Sequence, residues 1–600
     1  RKVFEIAEQG TRGKGGFESI KSLLTKAVDK IETLFEQDEP ITGLSTGFSD
    51  LDGMTSGLQP ADLIIVAGRP SMGKCVEAGT EILLEDGSIE TIETLYRRKS
   101  GRLLTLAEDW RFRFTEPSAF VDDGQKPVFR LTTRLGRTIE TTATHPYLTP
   151  KGWRPLDELE VGEKVAVPRT LPVFGKRSMR ECEIKLLGYL LGDGCLTQGA
   201  PKFTNVDERM QADFISAAEA FGGVRATIKQ RSGRAPDICI AADQTERASW
   251  RERFAEGLRG ALESAGLSGR QFALAIGVSP VSVWNWTHAR CVPEADVFTR
   301  VCGFFSNEQL ASWLPEGRES AAGNSRNAVT RWLDELGVWG KDAHGKFIPD
   351  SVFQLPKEEM AVFISRLFAT DGWAALLKSG QSQLGFSSVS ERMVRQLQHL
   401  LLRFGVIAKL RARSVKLGES RHSAWQLDIT DAESILAFAR DIGIFGKEEA
   451  VDRVVSAVMR KRRQTNRDLI PVEFWEDVAR AKGDEPWAQL ARRAGLQGAS
   501  NIHVGRRALS RSRLSQLADA LKDQRLRNLA TSDVYWDEVV SIEYMGIKQV
   551  YDLTIPVSHN FVANDLCVHN TTFSMNIAEN VAINSGKPVA VFSMEMPGEA

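Results

Sequence analysis

The feature that most constrains this 600-residue chain is a phosphate-binding loop cut in two. Residues 61–68 (Ala-Asp-Leu-Ile-Ile-Val-Ala-Gly) form an apolar run short enough for a buried strand, and Arg69-Pro70-Ser71-Met72-Gly73-Lys74 follow it. The pattern G-x-x-x-x-G-K-[ST] needs Gly68 and Gly73 so that backbone N–H groups can cradle phosphate. It also needs Lys74 to reach the outer phosphates and a hydroxyl to bind magnesium. Cys75 stands where the hydroxyl belongs. The continuation appears only near the end of the chain, where Thr571-Thr572-Phe573-Ser574-Met575-Asn576 opens a helical pattern leading to a strand-like Pro588-Val589-Ala590-Val591-Phe592. Joining Lys74 to Thr571 restores G-R-P-S-M-G-K-T, so residues 75–570 read as an insert that must fold on its own.

A chain of this length exceeds what one hydrophobic core serves, so several domains are expected. A formal net charge of −1 predicts no general attraction to nucleic acid, although Arg460-Lys461-Arg462-Arg463 is basic locally. Seven cysteines without a C-x-x-C pair fit a reducing compartment and individual thiols, not a disulfide framework or zinc site. The expected location is the cytoplasm. No apolar run has the length of a membrane span, no series of the secretory type opens the chain, and no membrane partner is expected. Starting at Arg1 without Met and stopping at Ala600, the sequence is expected to be a fragment.

The flanks, residues 1–74 and 571–600, resemble the RecA-like α/β motor domain of DnaB-type replicative helicases. The likeness rests on Ile41-Thr42-Gly43-Leu44-Ser45-Thr46-Gly47-Phe48, Leu51-Asp52 and Gly57-Leu58-Gln59-Pro60. It implies that residues 68–74 with Thr571 hold ATP and magnesium after the flanks are joined, and that Glu595 in Phe592-Ser593-Met594-Glu595-Met596 activates the attacking water. It further implies single-stranded or forked DNA as substrate, a homo-hexamer, and primase as a partner.

The ends of the insert carry the groups needed to remove it. The Cys75 thiolate can attack the Lys74 carbonyl, turning an amide into a thioester. The Thr571 hydroxyl can then take the acyl group, and Asn570 can cyclise onto its own carbonyl and release the insert. An O-to-N acyl shift leaves a Lys74–Thr571 peptide bond, with no cofactor required.

These steps, and the motifs inside the insert, resemble those of inteins. Thr142-Ala143-Thr144-His145 fits the family's T-x-x-H motif, flanked by Gly136-Arg137-Thr138-Ile139-Glu140 and Pro146-Tyr147-Leu148. The resemblance implies that His145 protonates the departing Cys75 amine, a role that suits an imidazole with an ordinary pKa. Val550-Tyr551-Asp552-Leu553-Thr554-Ile555, His559-Asn560-Phe561 and Val568-His569-Asn570 match the C-terminal motifs. By that likeness Asp552 aids the thiol and ester steps, while His559 and His569 promote asparagine cyclisation. Cys567 reads as a small buried hydrophobe. The expected fold is an all-β horseshoe of the Hint type, built from residues 75–180 and 531–570, that brings both termini together.

Residues 181–530 need another purpose. Leu186-Leu187-Gly188-Tyr189-Leu190-Leu191-Gly192-Asp193-Gly194 and Ile364-Ser365-Arg366-Leu367-Phe368-Ala369-Thr370-Asp371-Gly372 resemble the two motif helices of a LAGLIDADG homing endonuclease, an α+β fold. The resemblance implies that Asp193 and Asp371 bind Mg2+ over the phosphates of a double-stranded DNA target, with Lys409 stabilising charge nearby. Arg366 stands where the second helix would carry glycine and is expected to resist close packing. An active and a degenerate nuclease both remain open at this point. Within about 250–320, Gly269–Trp284 reads as helix, glycine turn, Ser279 cap, Pro280 and second helix, which resembles a phage-repressor helix-turn-helix. Asn285, Thr287, His288 and Arg290 follow it as candidate DNA contacts. A second basic helical module is expected around Leu490–Gly495 with Arg506, Arg507, Arg511 and Arg513. Two rival readings are a helicase with a tolerated insertion and a DNA-binding regulator. The first would leave the phosphate loop without its Ser/Thr and adjoining helix, so no motor activity is expected before splicing, and the second explains none of the junction residues.

Overall fold

In the computed structural model the chain divides into two units, residues 73–570 and the flanks 1–72 with 571–600. The structure describes residues 74–569 except 198, 232, 306–326, 418–419, 461–467 and 497–503, and of the flanks chiefly 43–46 and 49–59. Gly68 to Gly73, Asn570, Thr571 and Glu595 lie outside the described residues. In the flanking unit Leu44 bridges Leu58. The buried Asp52 carboxylate there accepts bonds from the Thr46 N–H and hydroxyl, each at 2.8 Å, and from the Ser45 hydroxyl at 2.6 Å.

The insert begins with β1 (Val76–Glu77), β2 (Ala119–Thr133), β3 (Thr138–Thr141), β4 (Pro146–Thr149), β5 (Gly152–Pro155) and β6 (Lys164–Pro168). Then comes α1 (Glu181–Leu191), β7 (Gly194–Cys195), β8 (Lys202–Thr204), α2 (Glu208–Phe221), β9 (Val224–Arg231) and β10 (Arg234–Ala242). Among the helices that follow are α3 (Gln244–Ser264), α4 (Gly269–Ile276), α5 (Pro280–Thr287) and α6 (Ala295–Phe305). The earlier αββαββ order then recurs as α7 (Lys357–Asp371), β11 (Gly372–Leu376), β12 (Ser382–Ser388), α8 (Glu391–Arg403), β13 (Lys409–Leu417) and β14 (Ser420–Ile429). Helices α9 (Trp475–Lys482), α10 (Trp487–Arg493), α11 (Arg511–Leu521) and α12 (Gln524–Ala530) precede β15 (Val534–Thr554), β16 (Asn560–Ala563) and β17 (Leu566–His569).

Strands from both ends of the insert share two sheets, ordered β1-β3-β2-β15-β6, with β1 also paired to β15, and β16-β17-β4-β5. The β2–β15 ladder runs from Thr133 opposite Val539 to Ala119 opposite Thr554, with register shifts at 539/541, 544/547 and 549/551. Each shift adds local twist, which lets a long two-stranded ribbon curl around a core. Val76, Leu131, Ile139, Tyr147, Val165, Leu553 and Phe561 fill that core. Ala563 pairs with Leu566, so β16 and β17 are joined by the two residues Asn564 and Asp565, at φ 46° and 58°. Asparagine and aspartate tolerate this left-handed conformation, and the tight turn fixes the register that carries His569 towards the junction.

The two αββαββ repeats form sheets of identical order, β7-β8-β10-β9 and β11-β12-β14-β13, around a core shared by α1 and α7. These helices touch where they carry no bulk. A Cβ placed on Gly188 would come within 2.8 Å of Arg366 Cβ and 3.0 Å of the Phe363 carbonyl oxygen, and one on Gly192 would overlap Thr370. The expectation that Arg366 would resist close packing is therefore corrected. The bare Gly188 on the facing helix accommodates its stem, and the guanidinium swings sideways to donate to Asp213 at 2.9 Å and lie 4.1 Å over the Phe445 ring. Lys185 and the Tyr189 hydroxyl complete the shell of the same carboxylate.

Helices α3 to α6 hold a separate core of Phe254, Leu258, Phe272, Val283, Trp286 and Val301. Ser268 and Gln271 form a capping box on α4, Gly277 closes it at φ 70°, and Ser279 caps α5 with Pro280 at its first turn. Helices α9 to α12 instead pack Trp475, Leu490, Leu514 and Leu526 with Leu148, Ala166, Trp536 and Cys567 of the β-rich part. The second basic module thus sits on the sheets bearing the junctions. Of its arginines, Arg511 is a packing residue: it pairs with Asp468 at 2.7 Å and donates to the Ala530 and Ser532 carbonyls. Arg506 and Arg507 are exposed.

Arg403, on α8, ties the repeats to the β-rich part. Its buried guanidinium donates to the carbonyls of Gly87 at 2.8 Å, Val173 at 3.2 Å and Phe353 at 2.6 Å, and to His399 Nε2 at 3.1 Å. His399 Nδ1 in turn lies 2.9 Å from Asp565 Oδ1 in the β16–β17 turn.

Candidate active site

Val76 pairs with Tyr551 of β15 and Thr141 of β3, and one more step along the antiparallel register sets Cys75 opposite Asp552. Cys75 is buried, and its backbone N–H donates to Thr142 Oγ1 at 3.1 Å while its carbonyl accepts the Thr142 N–H at 3.1 Å. The T-x-x-H motif therefore grips both sides of the first residue of the insert. Burial, the hydrogen bond to Asp123, and the charge of Asp552 push the Cys75 thiol far above its ordinary range. A standing thiolate, as read from sequence, is corrected to a thiol that needs a base.

His145 is fully buried and its pKa falls to about 3, first because burial disfavours the imidazolium and then because His569 lies near. The Lys74 backbone faces the ring and favours the charged form, but neither ring nitrogen closes a hydrogen bond of good geometry among the described residues. The expectation of an imidazole with an ordinary pKa is corrected to a neutral ring set between the two ends of the insert. Burial, followed by the charge of Asp123, raises the Asp552 carboxyl well above the usual carboxylate range, while the Leu553 N–H and Lys74 oppose the shift. Lys74 itself is lowered by burial, with Asp552 opposing.

At the other end, Val568 of β17 pairs with Tyr147 of β4, two residues beyond His145. The His569 ring stacks edge-on against Trp153 at 4.6 Å and lies 6.4 Å from the His559 ring, whose Nδ1 is 3.1 Å from the Ile555 carbonyl. His145, His559 and His569 are thus gathered with Thr142, Cys75 and Asp552. Cys567 is buried.

Sequence reasoning missed Asp123. Its Oδ2 accepts from the Cys75 thiol at 2.7 Å and from Lys126 Nζ at 2.5 Å, and its side chain is buried. It lies inside the register shift where Gln125 faces Gln549 but Asp122 faces Tyr551, next to Gly124 at φ 69°. The signal was a glycine inside a strand pattern, which marks a bulge that can re-aim a neighbouring side chain.

A second cluster forms where α1 and α7 end. Burial raises Asp193, and burial together with Asp193 pushes Asp371 up to about 6. Lys346 donates to the Leu190, Gly192 and Gly194 carbonyls at 3.1, 2.7 and 2.8 Å, and Lys447 to those of Thr370 and Gly372 at 3.1 and 2.6 Å. Each lysine closes one helix terminus, where carbonyls and the helix dipole favour a cation. Lys409 was the lysine chosen from sequence; it sits on β13 opposite Asp428, whereas the cations acting on the aspartate pair are Lys346 and Lys447. On the helix-turn-helix segment, Thr287 and His288 bond back to carbonyls of α5, and Arg290 lies 4.6 Å over Trp284.

A family model of the intein splicing domain matches residues 82–570, and one of the DnaB-like helicase C terminal domain matches residues 43–83. The chain is 30% identical over 506 residues to the replicative DNA helicase DnaB of Rhodothermus marinus, spanning 83% of this chain and 46% of that protein. It therefore covers less than half of that relative's length. A DnaB intein from Synechocystis sp. PCC 6803 is 35% identical over 16% of this chain and 69% of that structure, at a TM-score of 0.16. The meganuclease I-SmaMI, solved bound to uncleaveable DNA, aligns with 46% of this chain and 88% of its own at 10% identity and a TM-score of 0.21.

Proposed function

The chain belongs to the intein splicing family, its insert carried within a DnaB-like helicase sequence, and on that premise we propose that residues 75–570 excise themselves and join Lys74 to Thr571. The observation that carries this reading is the place of His145: the Lys74 backbone faces it from the first junction, and His569 stands near it from the last described residue before the second. Cys75 attacks the Lys74 carbonyl, with its N–H held by Thr142, and the amine leaves into the His145 pocket. A neutral imidazole there accepts or relays a proton; it does not hold one in reserve. Asp552, opposite Cys75, assists the thioester and ester steps with Thr571. His559 and His569 orient and polarise Asn570 for cyclisation. Replacing His145 by Ala in the full chain tests the assignment. Hydroxylamine, which intercepts a thioester, should then release residues 1–74 far more slowly than from the parent chain, and release at the parent's rate would overturn the role of His145.

In the joined product, residues 68–74 and Thr571 would hold ATP and Mg2+, with Glu595 activating water. Single-stranded or forked DNA as substrate, a hexameric assembly and primase as partner belong to this reading of the product. Its setting is the cytoplasm; no helix among the described residues is long and apolar enough to cross a membrane.

For the region between the splicing halves, the paired αββαββ repeats with aspartates at both helix ends favour a nested site-specific endonuclease acting on double-stranded DNA. Among the described residues no cluster of three or more His, Cys, Asp or Glu could hold a metal. Asp193 and Asp371, at the ends of the two facing helices, are the residues that would hold Mg2+. The donor set fits, because burial first and the neighbouring Asp193 second hold the Asp371 carboxyl up, and a divalent cation offsets both. When bound, the ion supplies Lewis-acid stabilisation of phosphate charge. Lys346 and Lys447 hold the helix ends in place, and α4 and α5 would add contacts to flanking DNA. Incubating the chain and Mg2+ with a plasmid bearing the uninterrupted joined coding sequence should linearise it, and an intact plasmid would favour a degenerate nuclease.

A further inference from the structure

The nucleophile of the first splicing step is held by a carboxylate that no motif marks. Asp123 reaches Cys75 only because β2 carries an extra residue at the 549/551 register shift, with Gly124 in the left-handed region beside it. The bulge turns Asp123 inward, where it lies 2.7 Å from the Cys75 sulfur. Lys126 Nζ lies 2.5 Å from the same oxygen and supplies the counter-charge for a carboxylate that is otherwise buried. Asp123 Oδ1 has no hydrogen-bond partner among the described residues, so Oδ2, shared by Cys75 and Lys126, carries the bonds of this carboxylate.

We propose that Asp123 is the general base of the first step, taking the proton from the Cys75 thiol as the sulfur attacks Lys74. The proposal rests on the splicing reading above. The S–H bond breaks to Asp123 Oδ2, the bond from Cys75 Sγ to the Lys74 carbonyl carbon forms, and the Lys74–Cys75 C–N bond breaks. The proton that Asp123 took passes on to the departing Cys75 nitrogen, and Asp123 ends as a carboxylate. The step neither consumes nor releases a proton overall, and no external reactant is needed. Three groups face the thiol with distinct tasks. Asp123 with Lys126 removes the proton, Asp552 stands opposite across the β1–β15 register, and Thr142 holds the amide nitrogen.

The test uses the full chain with Asn570→Ala, so that only the first step is read, as release of residues 1–74 by hydroxylamine between pH 6 and 9. Asp123→Asn keeps the shape but cannot take a proton, and should slow release about 10²-fold at pH 7, the scale of a lost general base. Its deficit should shrink as pH rises, because hydroxide replaces the missing base. Asp123→Glu should recover part of the rate, which a merely structural aspartate would not require. Release from Asp123→Asn within twofold of the parent, or a deficit that does not change with pH, overturns the proposal. If the Asn570→Ala parent itself releases nothing while Cys75→Ala behaves identically, the splicing reading fails first and the proposal falls with it.

Discussion

Burial of His145 should make the β-rich part selectively sensitive to acid. The ring titrates near 3 in the fold and near 6.5 when unfolded, so between those values the unfolded chain binds the extra proton. A depressed folded pKa means that the contribution to stability is fully present above pH 6.5 and is lost as pH falls towards 3. At pH 5 the difference amounts to about 2 kcal/mol, since each pKa unit is worth about 1.4 kcal/mol. The comparison pairs a chain unable to splice, Cys75→Ala with Asn570→Ala, with the same chain also carrying His145→Gln, which cannot titrate. Hydrogen exchange of the segment 138–149, read by mass spectrometry at pH 7.5 and pH 5 and corrected for intrinsic exchange, gives the opening free energy of each. The histidine chain should lose about 2 kcal/mol more than the glutamine chain, because every other titration is shared. Equal losses would refute the argument, since His145 would then be either solvated or already charged.

Asp371→Asn should abolish DNA cleavage and yet raise stability at pH 7.5 without magnesium by up to about 3 kcal/mol. A carboxyl raised to about 6 favours the fold at low pH and penalises it above, and thermal unfolding with and without Mg2+ checks the sign. Gly188→Ala should force α1 and α7 apart and cost about 1–3 kcal/mol, the usual price of overpacking, lowering the urea midpoint of the repeats while hydroxylamine release of residues 1–74 persists. Arg403→Met leaves three buried carbonyls unpaired and should cost about 3 kcal/mol by denaturant unfolding, at about 1 kcal/mol or more for each group left without a donor.

The ends of the insert could be read in sequence because splicing would demand particular atoms at particular junctions, and the fold brings Cys75 onto the T-x-x-H run and pairs Val568, next to His569, with the strand that follows His145. The pair of motif helices was legible for the same reason, as two small-residue stretches each ending in Asp-Gly. What sequence spacing could not supply was the company each residue keeps. Arg366 was judged by its own bulk, but close helix contact depends on the facing residue, which is Gly188. Lys409 was singled out within its own segment, whereas Lys346 and Lys447 come from loops elsewhere in the chain to the carbonyls that end the two helices beside the aspartates. Asp123 depended on a bulge that reverses the ordinary inward and outward alternation of a strand. The pKa shifts of Cys75 and His145 arise from burial, which the residue types alone do not reveal.

The central claim is tested most directly by expressing this chain and measuring the intact masses of its products. The account predicts a free segment running from Cys75 to Asn570 together with a peptide in which Lys74 is joined to Thr571, both lost on Cys75→Ala. A single full-length mass that persists under reducing conditions at neutral pH would contradict it.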